Sequence, residues 1–317
     1  MDRPGEEMSA RIVISEFMDA PAVERLARRF EVDYRPKLVD DAAALEVALV
    51  PAEAWIVRNR TQVRGRALAA AAGLRGVGRL GVGLDNIDLA ACEARGIRVI
   101  PASGANAMSV AEYVVTVALV LLRGAYFSTK AVAAGTWPRQ TLSQGREAAG
   151  KTFGVVGFGS IGRLTAAKAR AMDMRVLGCD PLVGAESPLW EEAGVLPRTL
   201  DALVAESDVV SLHLPLDEAT RGLFDAARMG RMKRDAILVN SARGGIVDEA
   251  ALAKMLHDGR LGGAAIDVFE SEPLAAGSPL ATAPRLLLTP HIAGVTLEAN
   301  ERVSALIAER VTEALDA

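Results

Sequence analysis

The sequence is poor in cysteine and lacks long apolar runs. Its two cysteines, Cys92 and Cys179, lie far apart and match no metal-ligand spacing, which argues against a disulfide framework and a cysteine-based metal site. The longest apolar stretch, 110–122, contains Glu112 and is shorter than the roughly 18 residues of a membrane-spanning helix. The N-terminus lacks the basic and apolar pattern of a secretory signal. We therefore expect a cytoplasmic protein, with residues 1–8 as a disordered tail.

Aromatic residues and excess charge are also scarce. The net charge of -4 provides no general attraction for nucleic acid or for an anionic membrane surface, so neither is expected as a partner. Half of the chain is hydrophobic but only 4% is aromatic, so its apolar content is mainly alanine, valine, leucine and isoleucine. That composition suits buried parallel strands covered by helices, and 317 residues are enough for two such domains.

Strand and helix patterns alternate in two series along the chain. The first series spans residues 11–100 and ends at a break in composition, 101–106. A long helix predicted from Ser109 to Arg123 then leads to a second series, which begins at Lys151. The last helix, predicted over about 296–315, follows the final strand and is expected to return to the first series. The sequence thus predicts an α/β protein whose first domain is discontinuous.

A glycine motif stands at the start of the second series. A short apolar strand, Phe153–Val156, runs into Gly157-x-Gly159-x-x-Gly162 and then into a helix. Gly157 permits a tight turn, Gly159 lets the backbone approach a phosphate, and Gly162 lets the helix pack close to the strand. This order of elements is typical of a site that binds a dinucleotide pyrophosphate at a helix N-terminus.

An aspartate follows the next strand at the spacing that a dinucleotide site requires. Asp180 comes 23 residues after Gly157 (180 minus 157), near the roughly 20 expected for the carboxylate that binds the adenosine ribose. A carboxylate there repels a 2′-phosphate, which favours NAD over NADP. The alternative is a turn residue that precedes Pro181.

The chain has three histidines, and only one of them is a strong candidate for catalysis. His257 ends a predicted helix, where a solvent-facing cation is the ordinary interpretation. His213 ends a strand at the edge where ligands bind in such sheets, and both a place in the cofactor groove and a structural role are open. His291 follows Pro290 at a strand end. An imidazole fixed in this way is suited to general acid/base catalysis, because it exchanges protons near neutral pH.

Two further residues strengthen the case for His291. Arg243 follows a strand and precedes a helix, where it could hold a substrate carboxylate in two parallel hydrogen bonds and polarise a neighbouring carbonyl; a surface arginine is the alternative. Glu272 follows the next strand and could orient the imidazole of His291 and stabilise its protonated form. Glu270 competes for that role.

Six motifs follow one another along the chain: Gly81–Asp88, Val155–Gly162, His213–Leu216, Asn240–Asp248, Asp267–Pro273 and Thr289–Gly294. In this order they strongly resemble the motifs of the D-isomer-specific 2-hydroxyacid dehydrogenases, the family of D-3-phosphoglycerate, glyoxylate/hydroxypyruvate and D-lactate dehydrogenases. The resemblance covers nearly the whole chain and implies that Arg243, Glu272 and His291 form the family's catalytic triad. The glutamine typical of the formate dehydrogenases is absent at Glu272, and so is the C-terminal regulatory domain of some phosphoglycerate dehydrogenases, so we expect no feedback through it.

The same resemblance implies two doubly wound domains and a homodimer. A Rossmann NAD-binding domain, 102–290, is expected to be inserted into a discontinuous flavodoxin-like substrate domain, 9–101 and 291–317. The helix from Ser109 and the segment 126–138 resemble the family's dimer arm. The cofactor expected is NAD, with Asp267 at its nicotinamide end; no metal is expected. The predicted cofactor contacts are Gly157, Gly159, Ser160, Ile161, Gly162, Asp180, His213, Pro215, Thr220, Ala242 and Asp267.

The substrate implied is a 2-hydroxy acid or its 2-oxo acid, its carboxylate held by Arg243 and by backbone N–H groups near Val82 and Gly83. Arg58 and Arg60 match the segment that approaches a second anionic group in the phosphoglycerate branch, although a solvated basic loop is equally open. Phosphoglycerate-like and sulfolactate-like acids both fit, with a slight preference for the latter. The alternatives are a glyoxylate/hydroxypyruvate reductase, an enzyme that oxidises phosphite, and a non-catalytic NAD-sensing scaffold of the corepressor type.

Overall fold

The computed structural model describes residues 10–317, which form two parallel β-sheets, each covered by helices. The chain divides into two units: residues up to Asn106 together with Val295–Ala317, and Ala107–Gly294. The tail expected over residues 1–8 lies outside the described part of the chain. This α/β architecture with two sheets is the predicted fold class.

Within residues 10–106 and 295–317, five parallel strands pair in the order β2-β1-β3-β4-β5. The C-terminal helix, Leu297–Asp316, packs on this sheet through a buried stripe that includes Val303, Ile307 and Val311 at intervals of four residues. The helix lies so close to the sheet that a Cβ atom on Gly78 would be 2.7 Å from Cγ2 of Ile307. The elements are β1 (Arg11–Ile14), α1 (Ala20–Ala27), β2 (Glu31–Tyr34), α2 (Ala42–Leu49), β3 (Ala54–Val57), α3 (Gly65–Ala70), β4 (Gly76–Arg79), α4 (Leu89–Ala94) and β5 (Arg98–Pro101), with a 3₁₀ turn at Leu38–Asp40.

Residues 107–294 form a seven-stranded parallel sheet with the order β12-β11-β10-β9-β6-β7-β8. The elements are α5 (Ala107–Arg123), α6 (Thr129–Ala133), α7 (Arg139–Leu142), β6 (Thr152–Val156), α8 (Ser160–Ala171), β7 (Arg175–Cys179), α9 (Pro188–Ala193), β8 (Leu196–Pro197), α10 (Leu200–Glu206), β9 (Val209–Leu212), α11 (Ala226–Met229), β10 (Ile237–Asn240), α12 (Glu249–His257), β11 (Gly263–Ile266) and β12 (Leu286–Leu288), with 3₁₀ turns at Ala125–Ser128 and Pro279–Thr282; the C-terminal helix is α13.

The strand order of the second sheet reverses at β6. The chain continues from β6 to β7 on one side, whereas β9 to β12 lie on the other side. In open parallel sheets, ligands bind at the carboxyl ends of the strands where the order reverses. The glycine motif follows β6 directly, so the sheet places that motif at its predicted ligand-binding edge.

The unit boundaries lie slightly beyond those expected from the sequence. The expected boundaries were 101/102 and 290/291, whereas the units change after Asn106 and after Gly294. Ala102 stays with the first unit because its N–H donates to the carbonyl oxygens of Arg79 and Gly81. His291 stays with the second unit because its N–H donates to the carbonyl oxygen of Asp267 at 2.8 Å.

Within residues 10–317, no single helix is both long enough and apolar enough to cross a membrane. The helix α5 and the segment Ala125–Ala133 meet those limits of length and composition only when taken together, as a pair bent by 68°.

Candidate active site

The glycine motif forms a tight turn with open space in front of it. Gly157 has a φ of +93°, and a Cβ atom there would lie 2.3 Å from the carbonyl oxygen of His213. A Cβ atom on Gly162 would lie 2.1 Å from the carbonyl oxygen of Gly157, so the helix α8 can pack here only without a side chain. At Gly159 a Cβ atom would meet open space, because no atom other than those of Gly159 and its two chain neighbours lies within 4 Å of that position. The motif therefore leaves room at the N-terminus of α8, where Ser160 and Ile161 form the first turn, and a dinucleotide pyrophosphate fits this cradle.

The carboxylate of Asp180 is fixed by the backbone next to the glycine motif. Oδ2 accepts the N–H of Phe158 at 2.6 Å, and Oδ1 accepts the N–H of Leu182 at 2.8 Å. Because each carboxylate oxygen can accept two hydrogen bonds, this geometry leaves acceptor capacity for ribose hydroxyl groups. The residues present thus fit NAD at both the pyrophosphate and the ribose.

His213 has a structural contact next to the glycine motif. Its ring Nε2 is hydrogen-bonded to Oγ of Ser211 at 2.8 Å, and its carbonyl oxygen closes on Gly157. Burial lowers the pKa of His213 to about 3, so the ring stays neutral at physiological pH. The sequence left open whether His213 has a structural role or a place in the cofactor groove. These contacts are structural, and the cofactor role stays a prediction.

The remaining predicted cofactor residues lie on the loops that follow β9 and β10. Thr220 Oγ1 donates to the carbonyl oxygen of Pro215 at 2.7 Å and accepts the N–H of Asp217 at 2.8 Å, which makes this loop compact. Ala242 is buried, and its N–H donates to Oδ1 of Asn240 at 3.1 Å. The roles of Pro215, Thr220 and Ala242 toward a cofactor stay predictions.

The structure pairs His291 with Glu272 and not with Glu270. Nδ1 of His291 lies 2.8 Å from Oε2 of Glu272, and Oε1 of Glu272 accepts the N–H of Phe269 at 3.1 Å. Because a carboxylate only accepts, the proton between these groups belongs to Nδ1, which leaves Nε2 as the ring nitrogen for a substrate. The N–H of Glu270 instead donates to Oε1 of Glu249. An imidazole oriented in this way can move one proton at Nε2.

Arg243 lies on a loop that touches the Glu272 loop. A Cβ atom on Gly244 would lie 1.8 Å from the carbonyl oxygen of Phe269, so the backbones after β10 and β11 are in direct contact. The buried side chain of Asn240 fixes the loop, because its Nδ2 donates to the carbonyl oxygen of Arg243 at 2.9 Å. A cationic guanidinium group and an oriented imidazole are thus carried on contacting loops at one sheet edge.

Asp267 has a role that the sequence did not indicate. Its buried carboxylate accepts the N–H groups of Ile292 at 2.9 Å and Ala293 at 2.8 Å, and its carbonyl oxygen accepts the N–H of His291. His291 has a φ of +56°, a left-handed conformation that costs a residue with a side chain about 1–2 kcal/mol. Asp267 therefore fixes the backbone of His291 in a strained conformation. Its predicted contact with the nicotinamide end stays a prediction.

An aspartate next to a buried strand was the only sequence signal for this role. Asp267 follows β11 in the run Ala264–Val268, where a carboxylate can be buried only if donors satisfy it. Those donors come from residues more than 20 positions further along the chain, and their identity could not be read from the sequence. Among residues 10–317, no group of three His, Cys, Asp or Glu side chains is arranged to hold a metal ion.

In the first unit, the structure distinguishes Arg58 from Arg60. Burial lowers the pKa of the Arg58 guanidinium group, whose Nη2 donates to Oδ1 of Asn300 at 3.0 Å and whose carbon lies 5.7 Å from the ring centre of Phe17. Arg60 is exposed and forms an ion pair with Asp40 at 2.5 Å. Arg58 is therefore a partly desolvated cation, whereas Arg60 is already paired at the surface.

Both arginines lie on a loop whose backbone is fixed by a buried carboxylate. The carboxylate of buried Glu16 accepts the N–H groups of Arg58 at 2.9 Å, Arg60 at 3.3 Å and Thr61 at 2.9 Å. Three backbone donors on one buried carboxylate keep the loop rigid, and the side chains that it carries have defined starting points.

The loop that carries Val82 and Gly83 is connected to this arginine loop. Nδ2 of Asn86 donates to the carbonyl oxygen of Arg58 at 2.9 Å, and Oδ1 of Asn86 accepts Nε of buried Arg79 at 3.3 Å. Val82 is 39% exposed, so this loop lies at the surface of the first unit. The two segments of the first unit that the sequence assigned to the substrate are therefore neighbours within that unit.

The geometry above defines an NAD-dependent oxidoreductase, and a comparison with protein families identifies the class. The model of the D-isomer-specific 2-hydroxyacid dehydrogenase NAD-binding domain matches residues 115–293. The chain belongs to this family, and its reaction is the NAD-dependent oxidation or reduction of a hydroxy acid.

The chain is also similar to individual enzymes of this family. The (S)-sulfolactate dehydrogenase of Chromohalobacter salexigens is 51% identical over 304 residues, which cover 96% of this chain and 98% of that enzyme. The D-3-phosphoglycerate dehydrogenase of Archaeoglobus fulgidus is 37% identical over 95% of this chain, but the match covers only 56% of that enzyme. Among solved structures, the D-lactate dehydrogenase of Aquifex aeolicus with NAD and lactic acid superposes with a TM-score of 0.85 at 28% identity, covering 96% of this chain and 95% of that one.

Proposed function

We propose that this chain is an NAD-dependent dehydrogenase for a D-type 2-hydroxy acid with a second anionic group, and that this group is the sulfonate of 3-sulfolactate. The observation that carries the proposal is the 51% identity to an (S)-sulfolactate dehydrogenase along nearly the full length of both proteins. The matching phosphoglycerate dehydrogenases are 34–40% identical, and the chain spans only a little over half their length.

The stereochemistry of sulfolactate agrees with a D-specific family. In lactate the carboxylate outranks the methyl group, and the D isomer is named R. In sulfolactate the sulfomethyl group outranks the carboxylate, because sulfur ranks above oxygen. The same arrangement in space is therefore named S. An (S)-sulfolactate therefore presents its hydroxyl group, carboxylate and hydrogen as D-lactate does. An enzyme built for D-2-hydroxy acids needs only an added site for the sulfonate.

Arg58 is our candidate for that added site. A sulfonate is a permanent anion with three acceptor oxygens, and an arginine binds such a group through charge-assisted hydrogen bonds. Arg58 is partly desolvated, which strengthens its attraction for an anion. Its guanidinium group donates to the neutral amide oxygen of Asn300, and the nearby carboxylate of Glu16 interacts with it electrostatically. Arg60 already pairs with Asp40 at the surface, and such exposed pairs contribute little. We therefore assign the second anionic group to Arg58 first, with Arg60 as a weaker, peripheral contact.

The residues of the second unit supply the chemistry at the 2-hydroxyl carbon. Bound NAD would supply the acceptor for the hydride of C2. Arg243 holds the substrate carboxylate in two parallel hydrogen bonds, which fixes C2 in position. Nε2 of His291 removes the proton from the 2-hydroxyl group, and Glu272 at Nδ1 stabilises the imidazolium ion that forms. In the reductive direction His291 returns that proton to the carbonyl oxygen.

A panel of 2-oxo acids tests the proposal. NADH oxidation is measured with sulfopyruvate, phosphohydroxypyruvate, hydroxypyruvate and glyoxylate, for the wild type and for Arg58→Gln and Arg60→Gln. We expect the highest kcat/KM with sulfopyruvate. Arg58→Gln should lower that value about 10- to 100-fold, as the loss of a charge-assisted hydrogen bond predicts, and leave glyoxylate turnover unchanged. Arg60→Gln is the matched control and should have a much smaller effect.

Two other outcomes of the panel point to different functions. Fastest turnover of hydroxypyruvate or glyoxylate, insensitive to Arg58→Gln, would make the chain a glyoxylate/hydroxypyruvate reductase. No turnover of any acid, with intact NADH binding, would favour the NAD-sensing scaffold.

We also propose that the chain forms a homodimer through the segment after α5. Large apolar side chains on this segment are exposed: Tyr126 at 66%, Phe127 at 47%, Val132 at 44% and Trp137 at 76%. Clusters of this kind mark interaction surfaces, and the resemblance to the family names a second copy of the chain as the partner. Light scattering after gel filtration should give a dimer for the wild type and a monomer for Trp137→Ser. Leu182→Ser, at a side chain that is 93% exposed elsewhere in the unit, should stay dimeric. A wild-type monomer would contradict this proposal.

A further inference from the structure

A chain of three side chains leads from the helix α5 to the loop of His291. The hydroxyl group of Tyr113 lies 2.6 Å from Oγ1 of Thr289, and Oγ1 of Thr289 lies 2.5 Å from Oδ1 of Asp267. A carboxylate only accepts hydrogen bonds, so Thr289 donates its single proton to Asp267 and must accept from Tyr113. The donor and the acceptor of each of these hydrogen bonds are therefore fixed, and Tyr113 is the first donor of the series.

Tyr113 is suited to remain that donor at any working pH. Its side chain is partly buried, and burial raises the pKa of its phenol to about 12, so the hydroxyl keeps its proton. Donors in a hydrogen-bonded chain polarise one another, so the bond from Tyr113 also strengthens the bond between Thr289 and Asp267.

This series of hydrogen bonds ends at the carboxylate of Asp267, which fixes the backbone around His291. Oδ1 of Asp267 accepts both Thr289 Oγ1 and the N–H of Ile292, and Oδ2 accepts the N–H of Ala293. Thr289 precedes His291 by two residues, so Asp267 is bonded on both sides of the histidine. The left-handed φ of His291 is held by these bonds, and weakening one of them allows the residue to relax toward an ordinary conformation.

We propose that Tyr113 is a positioning residue for His291, acting through Thr289 and Asp267. Tyr113 does not touch the reacting atoms in this account. The inference rests on the role of His291 as acid and base that is proposed above. Removing the phenol hydroxyl leaves Thr289 without its donor, loosens the tether on Asp267 and lets the imidazole move away from the reacting hydroxyl group. A displacement of about 1 Å in an active site can cost up to about a hundredfold in rate.

The test measures kcat, the KM for the fastest 2-oxo acid of the panel and the dissociation constant of NADH for a set of variants. Tyr113→Phe removes only the hydroxyl, Thr289→Val breaks the chain at its centre, and Thr289→Ser restores the hydroxyl. Tyr34→Phe is the matched control, because it too removes a partly buried phenol hydroxyl. That hydroxyl is hydrogen-bonded to the N–H and to the carbonyl oxygen of Met18. The double variant Tyr113→Phe/Thr289→Val completes a cycle.

The proposal predicts a selective loss of turnover. Tyr113→Phe should lower kcat about three- to tenfold, the value of one ordinary hydrogen bond, with KM unchanged and with NADH binding affected less than kcat, since Asp267 is also a predicted cofactor contact. Thr289→Val should lower kcat further, Thr289→Ser should recover most of it, and the double variant should be no worse than Thr289→Val alone. Tyr34→Phe should keep the wild-type kcat.

Three results would overturn it: equal kcat in Tyr113→Phe and Tyr34→Phe, multiplicative losses in the double variant, or a loss of NADH binding that parallels the loss of kcat. His291→Ala is measured alongside and separates the two levels. If His291→Ala keeps activity, the proposed role of His291 fails, whatever the tyrosine variants show.

Discussion

Nδ1 of His291 lies 2.8 Å from Oε2 of Glu272, whose other oxygen accepts the N–H of Phe269 at 3.1 Å. The glutamate is therefore anchored to the loop after β11 at one oxygen and to the imidazole at the other. This arrangement fixes the ring in one tautomer and presents Nε2. It makes His291 the group whose loss should affect turnover most.

Replacing His291 by alanine should lower kcat by about 10²- to 10⁴-fold, the usual contribution of general acid/base catalysis. NADH affinity, measured by fluorescence titration, should stay the same, because none of the cofactor contacts assigned here includes the His291 side chain. His257→Ala is the matched control, since His257 ends α12 and its closest polar contact is a long one, 3.5 Å to Thr282. Equal activity in the two variants would remove His291 from the mechanism.

Glu272→Gln should lower kcat about 10- to 100-fold, because an amide can still meet Nδ1 but does not stabilise an imidazolium ion. Glu270→Gln provides a control with the same chemical change two residues away, at a side chain for which no contact with His291 is found. It should leave kcat unchanged. Steady-state kinetics with a saturating 2-oxo acid compare the two. A larger loss in Glu270→Gln would mean that the wrong glutamate has been assigned.

Asp180→Asn should weaken the preference for NADH over NADPH. In the role predicted for Asp180, its carboxylate would lie next to the cofactor ribose and repel a 2′-phosphate; an amide would remove that repulsion and keep an oxygen acceptor. We expect the ratio of kcat/KM for NADPH to that for NADH to rise about tenfold. Thermal melting should show a fold that is nearly as stable, because the oxygen of the amide still accepts one backbone N–H. An unchanged ratio would contradict the assigned role of Asp180.

His213 should make the protein less stable in acid. Its folded-state pKa, about 3, lies below the ordinary value of 6.5, so the unfolded chain gains a proton between these pH values and the native chain does not. The contribution of His213 to the free energy of unfolding is therefore fully present above pH 6.5. It is lost as the pH drops toward 3, by at most about 1.4 kcal/mol per pH unit. In His213→Gln the decline of Tm between pH 7 and pH 4.5 should be shallower, whereas in exposed His257→Gln it should match the wild type. Identical slopes in all three proteins would contradict the buried neutral state of His213.

The fold class and the order of its elements could be predicted because local patterns encode them. Apolar runs such as Phe153–Val156 read as strands buried on both faces, and the glycines at 157, 159 and 162 mark the turn between strand and helix. The family could be predicted for the same reason, since its motifs are short and contiguous. The local sequence left Glu270 as a competitor of Glu272, because both lie in one loop, and only the resemblance to the family assigned Glu272.

Features that depend on distant contacts could not be predicted. The bonds from Asp267 to Ile292 and Ala293 span about 25 residues, and they decide that His291 belongs to the second unit rather than to the expected segment 291–317. The bond between Tyr113 and Thr289 spans 176 residues and has no sequence signature. Arg58 and Arg60 look alike in the sequence, and only their burial and partners distinguish them.

The most direct test of the whole account is the reduction of NAD with the two isomers of 3-sulfolactate, measured separately, next to D-lactate and 3-phosphoglycerate. The account predicts that the S isomer is oxidised with the highest kcat/KM, that the R isomer is essentially inert, and that His291→Ala lowers the activity by about 10²- to 10⁴-fold. Faster oxidation of the R isomer would contradict the geometry derived from the D-specific family. Faster oxidation of 3-phosphoglycerate or D-lactate than of (S)-sulfolactate would contradict the proposed substrate and leave only the class of reaction in place.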